Sequence, residues 1–158
     1  MKLSTTQIIL GVLIVLSALY ILWWMAFGVT SLLNDKVPGD GGVMLANYTP
    51  EHKILFTVAR YASGLLSVLG LATIITGVLW KKAENKKNLT ITQIIIGLLI
   101  VAVSAFIFTW GYSFEYIAAI EGGPVLDMAR ARYLTLLTAL LGVALSGVSI
   151  AQLVKSNK

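Results

Sequence analysis

The chain has 158 residues, 58% of them hydrophobic and 12% charged, with 12 Lys and Arg against 7 Asp and Glu for a formal net charge of +5. So apolar a composition excludes an ordinary soluble domain and puts the chain in the membrane class. The absence of cysteine excludes disulfides, thiolate metal sites, iron–sulfur ligation and thiol redox chemistry.

Four apolar stretches follow in chain order, over residues 8–29, 54–80, 91–112 and 133–154. Each holds about 20 residues or more, enough at roughly 1.5 Å per residue to cross the hydrocarbon core of a bilayer. Backbone groups in lipid must be satisfied within the segment, so each stretch is expected to be a helix. The first stretch follows Lys2 and has the look of a signal peptide, but its apolar length is too great and a twin of it lies mid-chain.

That twin is part of an internal repeat. Residues 3–24 (LSTTQIILGVLIVLSALYILWW) return at 89–110 (LTITQIIIGLLIVAVSAFIFTW), an offset of 86 with 11 of 22 positions identical. Ala59, Arg60, Tyr61, Leu65, Leu69, Gly70 and Ala72 return at an offset of 72 as Ala131, Arg132, Tyr133, Leu137, Leu141, Gly142 and Ala144. The chain reads as a single membrane domain over 1–158, made of one two-helix unit at 3–82 and another at 89–154. Because each unit has an even number of spans, the two have the same orientation and form a parallel repeat.

Charge sets the expected sidedness. Lys2, Lys81, Lys82, Lys86, Lys87, Lys155 and Lys158 face only Glu84 on one side, whereas the long loops mix acids and bases. This is the positive-inside pattern, which places both termini and the 81–90 connection in the cytoplasm of a cell, most simply at a prokaryotic plasma membrane. The net charge is thus accounted for without nucleic acid.

The second helix is expected to start at Thr49-Pro50-Glu51, a hydroxyl cap followed by proline at the first helical position. Apolar and aromatic character continues past Trp110 to Glu121-Gly122-Gly123-Pro124, a stop and start pair that predicts a tight helical hairpin turning near Gly122. Both outer hairpins extend beyond the bilayer, and Glu115 is expected to approach Arg130. The first outer loop is longer by 14 residues (86 minus 72) and contains Asp40-Gly41-Gly42-Val43.

Small and polar residues mark the packing faces. Gln7, Gly11, Ile14 and Ala18 share one face of the first helix, and Gln93, Gly97, Ile100 and Ser104 share the matching face of the third. Ser63, Ser67, Gly70, Ile74 and Gly77 in the second helix correspond to Thr135, Ala139, Gly142, Ser146 and Ser149 in the fourth. In lipid, helices associate where small residues let backbones approach, so a four-helix bundle is expected.

Chemistry is sparse. The span interiors contain no Asp, Glu, Lys, Arg or His, which argues against a proton relay or ion pump. His52 is the sole histidine, so neither a bis-histidine haem nor a histidine-rich metal site can be built within one chain. Arg60-Tyr61 and Arg132-Tyr133 are the sharpest candidates for contact with a ligand or partner, since guanidinium groups hold carboxylate and phosphate by forked hydrogen bonds. The same pairs also suit an interfacial anchor. Tyr20, Trp23, Trp24, Phe27, Phe108, Trp110, Tyr112, Phe114 and Tyr116 form an outer aromatic belt, with Trp80 on the inner side. Asn47-Tyr48-Thr49 is a glycosylation sequon, used only in a glycosylating host and disfavoured by Pro50.

The expectation is an all-α integral membrane protein with no catalytic residues, metal or cofactor. It would be an accessory subunit of a larger membrane protein complex, with the bilayer and either other subunits or further copies of itself as partners. A competing reading is a small binding or transport protein for an anionic or amphipathic molecule or lipid, clamped by Arg60 and Arg132. A third is a membrane enzyme acting on lipid or quinone through Glu115, His52 and the arginines.

Overall fold

The computed structural model describes residues 3–23, 50–83, 86–121 and 125–156, with side-chain surroundings for 4–23, 57–83, 86–109 and 130–155. The described residues form four helices: α1 (Leu3–Trp23), α2 (Pro50–Trp80), α3 (Lys86–Glu121) and α4 (Val125–Ser156). Each contains a segment long and apolar enough to cross a membrane: Ser4–Trp23, Thr57–Trp80, Lys86–Thr109 and Arg130–Lys155. The chain is therefore a multi-pass membrane protein.

Helix ends follow local chemistry. Pro50 opens α2, where a proline has no backbone donor to waste. At the other end of α2, Lys82 N donates to Leu79 O at 2.9 Å and Ala83 N to the same carbonyl at 2.9 Å, closing the helix. α2, α3 and α4 have 31, 36 and 32 residues, longer than the roughly 20 a bilayer needs, so they continue past their spans.

α1 packs on α2, α2 on α3, α3 on α4 and α4 on α1, most closely within the α1–α2 and α3–α4 pairs. The helices thus occupy the corners of a square, with α1 opposite α3 and α2 opposite α4. Glycines set the closest approaches. A Cβ on Gly97 would lie 2.9 Å from Gly142 O, and one on Gly142 would lie 2.9 Å from Gly97 O, so α3 and α4 touch backbone to backbone. In α1 and α2, a Cβ on Gly11 would lie 3.2 Å from Gly70 O, and one on Gly70 3.0 Å from Val15 N.

The distribution of polarity is that of a protein in lipid. Leu16, Val68, Leu98, Leu140 and Val143 are exposed, whereas Gln7, Ser63, Thr73, Gln93, Ser104, Thr135, Thr138 and Ser149 are buried. Ile14, Ile21, Leu66, Ile100, Ile107 and Leu145 fill the remaining centre, all fully buried. Buried hydroxyls mostly bond within their own helix: Ser63 to Ala59 O and Thr135 to Ala131 O, at 2.9 and 2.8 Å. Thr73 to Leu69 O, at 2.9 Å, and Ser146 to Gly142 O, at 3.1 Å, do the same.

Several sequence expectations lie outside the described residues. These are the Asp40-Gly41-Gly42 turn, the turn near Gly122, residues 24–29 of the first apolar stretch, the sequon, and the side chains of His52, Trp110, Tyr112, Phe114, Glu115 and Tyr116. The approach of Glu115 to Arg130 is among them.

Candidate functional site

Two regions contain the residues with chemical character. One is a glutamine layer near the 81–85 connection, and the other is the pair of arginines toward the opposite end.

The glutamine layer is assembled from all four helices. Gln7 on α1 and Gln93 on α3 sit at opposite corners, yet the Gln7 amide Nε2 donates to Gln93 Oε1 across the bundle. Gln7 Nε2 also faces Gln152 Oε1 at 2.7 Å and Ser149 Oγ at 3.3 Å on α4. Gln93 Nε2 donates in turn to Thr76 Oγ1 on α2, at 3.3 Å. Three acceptors thus compete for the two hydrogens of one amide. Gln7 Oε1 and Gln152 Nε2 are buried without a hydrogen-bond partner among the described residues. Gln7 and Gln93 are both fully buried, so this layer is shielded from solvent and lipid.

Small amides in hydrocarbon surroundings form stronger bonds than in water and lose more when unpaired. The layer can therefore fix the rotation and axial register of four helices at once. Packed Ile14, Ile100 and Leu145 follow it along the axis.

At the other end, Ala59 and Ala131 turn into the core, with 0% and 4% exposure. The two following residues swing outward by roughly 100° each. Arg60 is exposed and Tyr61 is 76% exposed; Arg132 is half-buried and Tyr133 is 69% exposed. Because α2 and α4 stand at opposite corners, Arg60 and Arg132 are not adjacent. A ligand touching both would have to lie across the end of the bundle.

The two arginines also differ. The Arg132 guanidinium carbon stacks over Phe108 of α3 at 4.7 Å from the ring centroid, a cation–π contact. The position matched to Phe108 at an offset of 86 is Leu22, which has no aromatic face to offer Arg60. Arg130 is exposed.

Comparison of the chain with protein-family models, with curated proteins and with solved structures finds no match. Its own geometry must carry any functional reading.

One feature escaped the sequence reading. Gly11, Gly70, Gly77, Gly97 and Gly142 all sit in helix contacts, but a Cβ on Gly64 or Gly147 would meet nothing within 4 Å. Gly147 lies on an exposed face of α4 with Ala144 and Ala151, also exposed. Spacings of three and four residues were the available signal. Small residues also lined the inward face of the same helix, so spacing alone did not separate two uses of one chemistry. Among the described residues no cluster of His, Asp or Glu suited to a metal is found.

Proposed function

We propose that the chain is a non-catalytic integral membrane subunit packing within a larger membrane protein complex. The observation carrying this reading is the outward strip of Ala144, Gly147 and Ala151 on α4, with open space over Gly147. Toward lipid, leucine or isoleucine serves as well as glycine and forms a better helix. Small residues gain an advantage only where another backbone approaches closely. The internal contacts at Gly11, Gly70, Gly97 and Gly142 use the same chemistry.

The test is mild-detergent purification of the natively expressed, tagged protein with measurement of its native mass. Stoichiometric partner subunits are expected, and Gly147→Leu should release them without lowering the melting temperature. A lone monomer in the native membrane would sink the proposal.

A second reading is a small binding or transport protein for an anionic or amphipathic molecule. Its support is Arg60, exposed one helical turn from the open Gly64. Arg60→Ala would then abolish binding and leave the fold intact.

We further propose that α1–α2 and α3–α4 are parallel repeats about a pseudo-twofold along the membrane normal. Gln7 meeting Gln93, and Gly11 with Gly70 corresponding to Gly97 with Gly142, support this. The lysine distribution supports cytoplasmic termini and the cell membrane as location.

A further inference from the structure

The end of the bundle at the α2–α3 connection concentrates basic charge on one short reversal of the chain. Candidate spans end at Trp80 and begin again at Lys86, so only residues 81–85 lie between them. Lys81, Lys82, Lys86 and Lys87 are all exposed. Residues 81–88 contain four lysines and one acid, Glu84, for a formal charge of 4 − 1 = +3.

The ring beside these lysines is held in place. Trp80 Nε1 donates to Thr90 Oγ1 at 3.2 Å, and the Thr90 hydroxyl donates to Lys86 O at 2.8 Å. Thr90 is 3% exposed, so its hydroxyl is shielded, while Trp80 is half-buried. The Lys86 ammonium lies 5.2 Å from the Trp80 ring centroid. α2 is thereby tied to the first turn of α3, and the indole stands at the end of the span, where tryptophan sits at headgroup depth.

We infer that this reversal is a binding site for the headgroup of an anionic phospholipid. Charge complementarity and depth both favour a lipid phosphate. The Lys86 ammonium lies over a ring at the membrane–water boundary, with three more exposed lysines close by in the chain, and phosphodiesters are the abundant anions there. The tied Trp80 supplies a fixed apolar surface for the glycerol and first acyl carbons. Lys81 and Lys82 after the end of α2, with Lys86 and Lys87 at the start of α3, supply donors for the phosphate oxygens. Juxtamembrane lysines gain affinity for anionic lipid in this way, about fivefold per charge.

The test uses the full chain in detergent, offered equimolar phosphatidylglycerol and phosphatidylcholine and analysed by native mass spectrometry. Wild type should retain phosphatidylglycerol in preference. The variant with Lys81→Gln, Lys82→Gln, Lys86→Gln and Lys87→Gln should lose at least about tenfold of that preference. Its melting temperature reports that it is folded, since all four side chains are exposed. Lys155→Gln removes one exposed lysine at the end of α4, outside the proposed site, and should change the preference by well under the roughly fivefold of a lysine within the site.

Equal retention of the two lipids by wild type would overturn the inference. So would an unchanged preference in the quadruple variant, or a full loss of about fivefold in Lys155→Gln, which would show a general charge effect. Displacement of the lipid by millimolar inorganic phosphate would show a site for free phosphate, and would equally overturn it.

Discussion

Gln7 and Gln93 lie 86 positions apart in the sequence, on helices that occupy opposite corners of the bundle, and their amides bond to each other at its centre. Sequence-matched residues so placed meet because each faces the axis at the same depth. One contact then reports on the arrangement of all four helices.

Replacing either glutamine by leucine should therefore destabilise the bundle by about 1–2 kcal/mol, in the range of interhelical polar contacts in membranes. The double variant should cost less than the sum of the two, because each single change strands the remaining amide. Denaturant titration in mixed micelles measures the cycle. Strict additivity would show that the two amides do not cooperate.

Glycines inside and outside the bundle should respond oppositely. Gly97→Ala places a Cβ against Ser146 Oγ and 2.9 Å from the Gly142 carbonyl, so α3 and α4 must separate. A loss of about 1–3 kcal/mol is expected. Gly147→Ala meets nothing within 4 Å and should stabilise the isolated chain by about 0.5–1 kcal/mol through helix propensity. Thermal melts of the two variants give the comparison, and equal losses would contradict it.

Arg132 and Arg60 should separate in the same assay. Arg132→Ala removes the stacking on Phe108 and should cost about 0.5–2 kcal/mol, and Phe108→Leu should cost less once Arg132 is gone than it does in wild type. Arg60→Ala, at an exposed position, should stay within about 0.5 kcal/mol of wild type. If Arg60→Ala proves the more damaging, the difference in their surroundings is not what governs these arginines.

Sidedness can be read by thiol labelling, because the chain has no cysteine of its own. Lys82→Cys should be shielded from a membrane-impermeant maleimide in intact cells, and Asp40→Cys should react. The reverse pattern would invert the proposed orientation.

The four spans were legible in the sequence because length and apolar content alone decide what can cross a bilayer. Pro50 and Trp80 bound α2 for reasons of backbone chemistry that any sequence carries openly. The inward alignment of Gln7 with Gly11 follows from spacing on a helix, and both residues are buried. Contacts between helices were less accessible. Nothing in residue spacing indicates that Gln152 approaches Gln7, that Thr90 receives the Trp80 N–H, or that Arg132 stacks on Phe108. Those depend on helix rotation and crossing geometry, to which many positions contribute a little each. The outward strip around Gly147 was hidden for a different reason: glycine and alanine look alike in sequence whether they face a neighbour or lipid.

The buried hydroxyls and the glutamines differ in when they can be satisfied. Ser63, Thr73, Thr135 and Ser146 bond to carbonyls one turn back, so a helix entering the bilayer alone already carries those partners with it. Gln7 and Gln93 have no such recourse, because the groups they bond belong to other helices. The amide of α1 must cross or wait near the surface until α3 and α4 have been synthesised and inserted. Membrane insertion can thus proceed helix by helix, whereas maturation of the bundle is held open until its last span arrives.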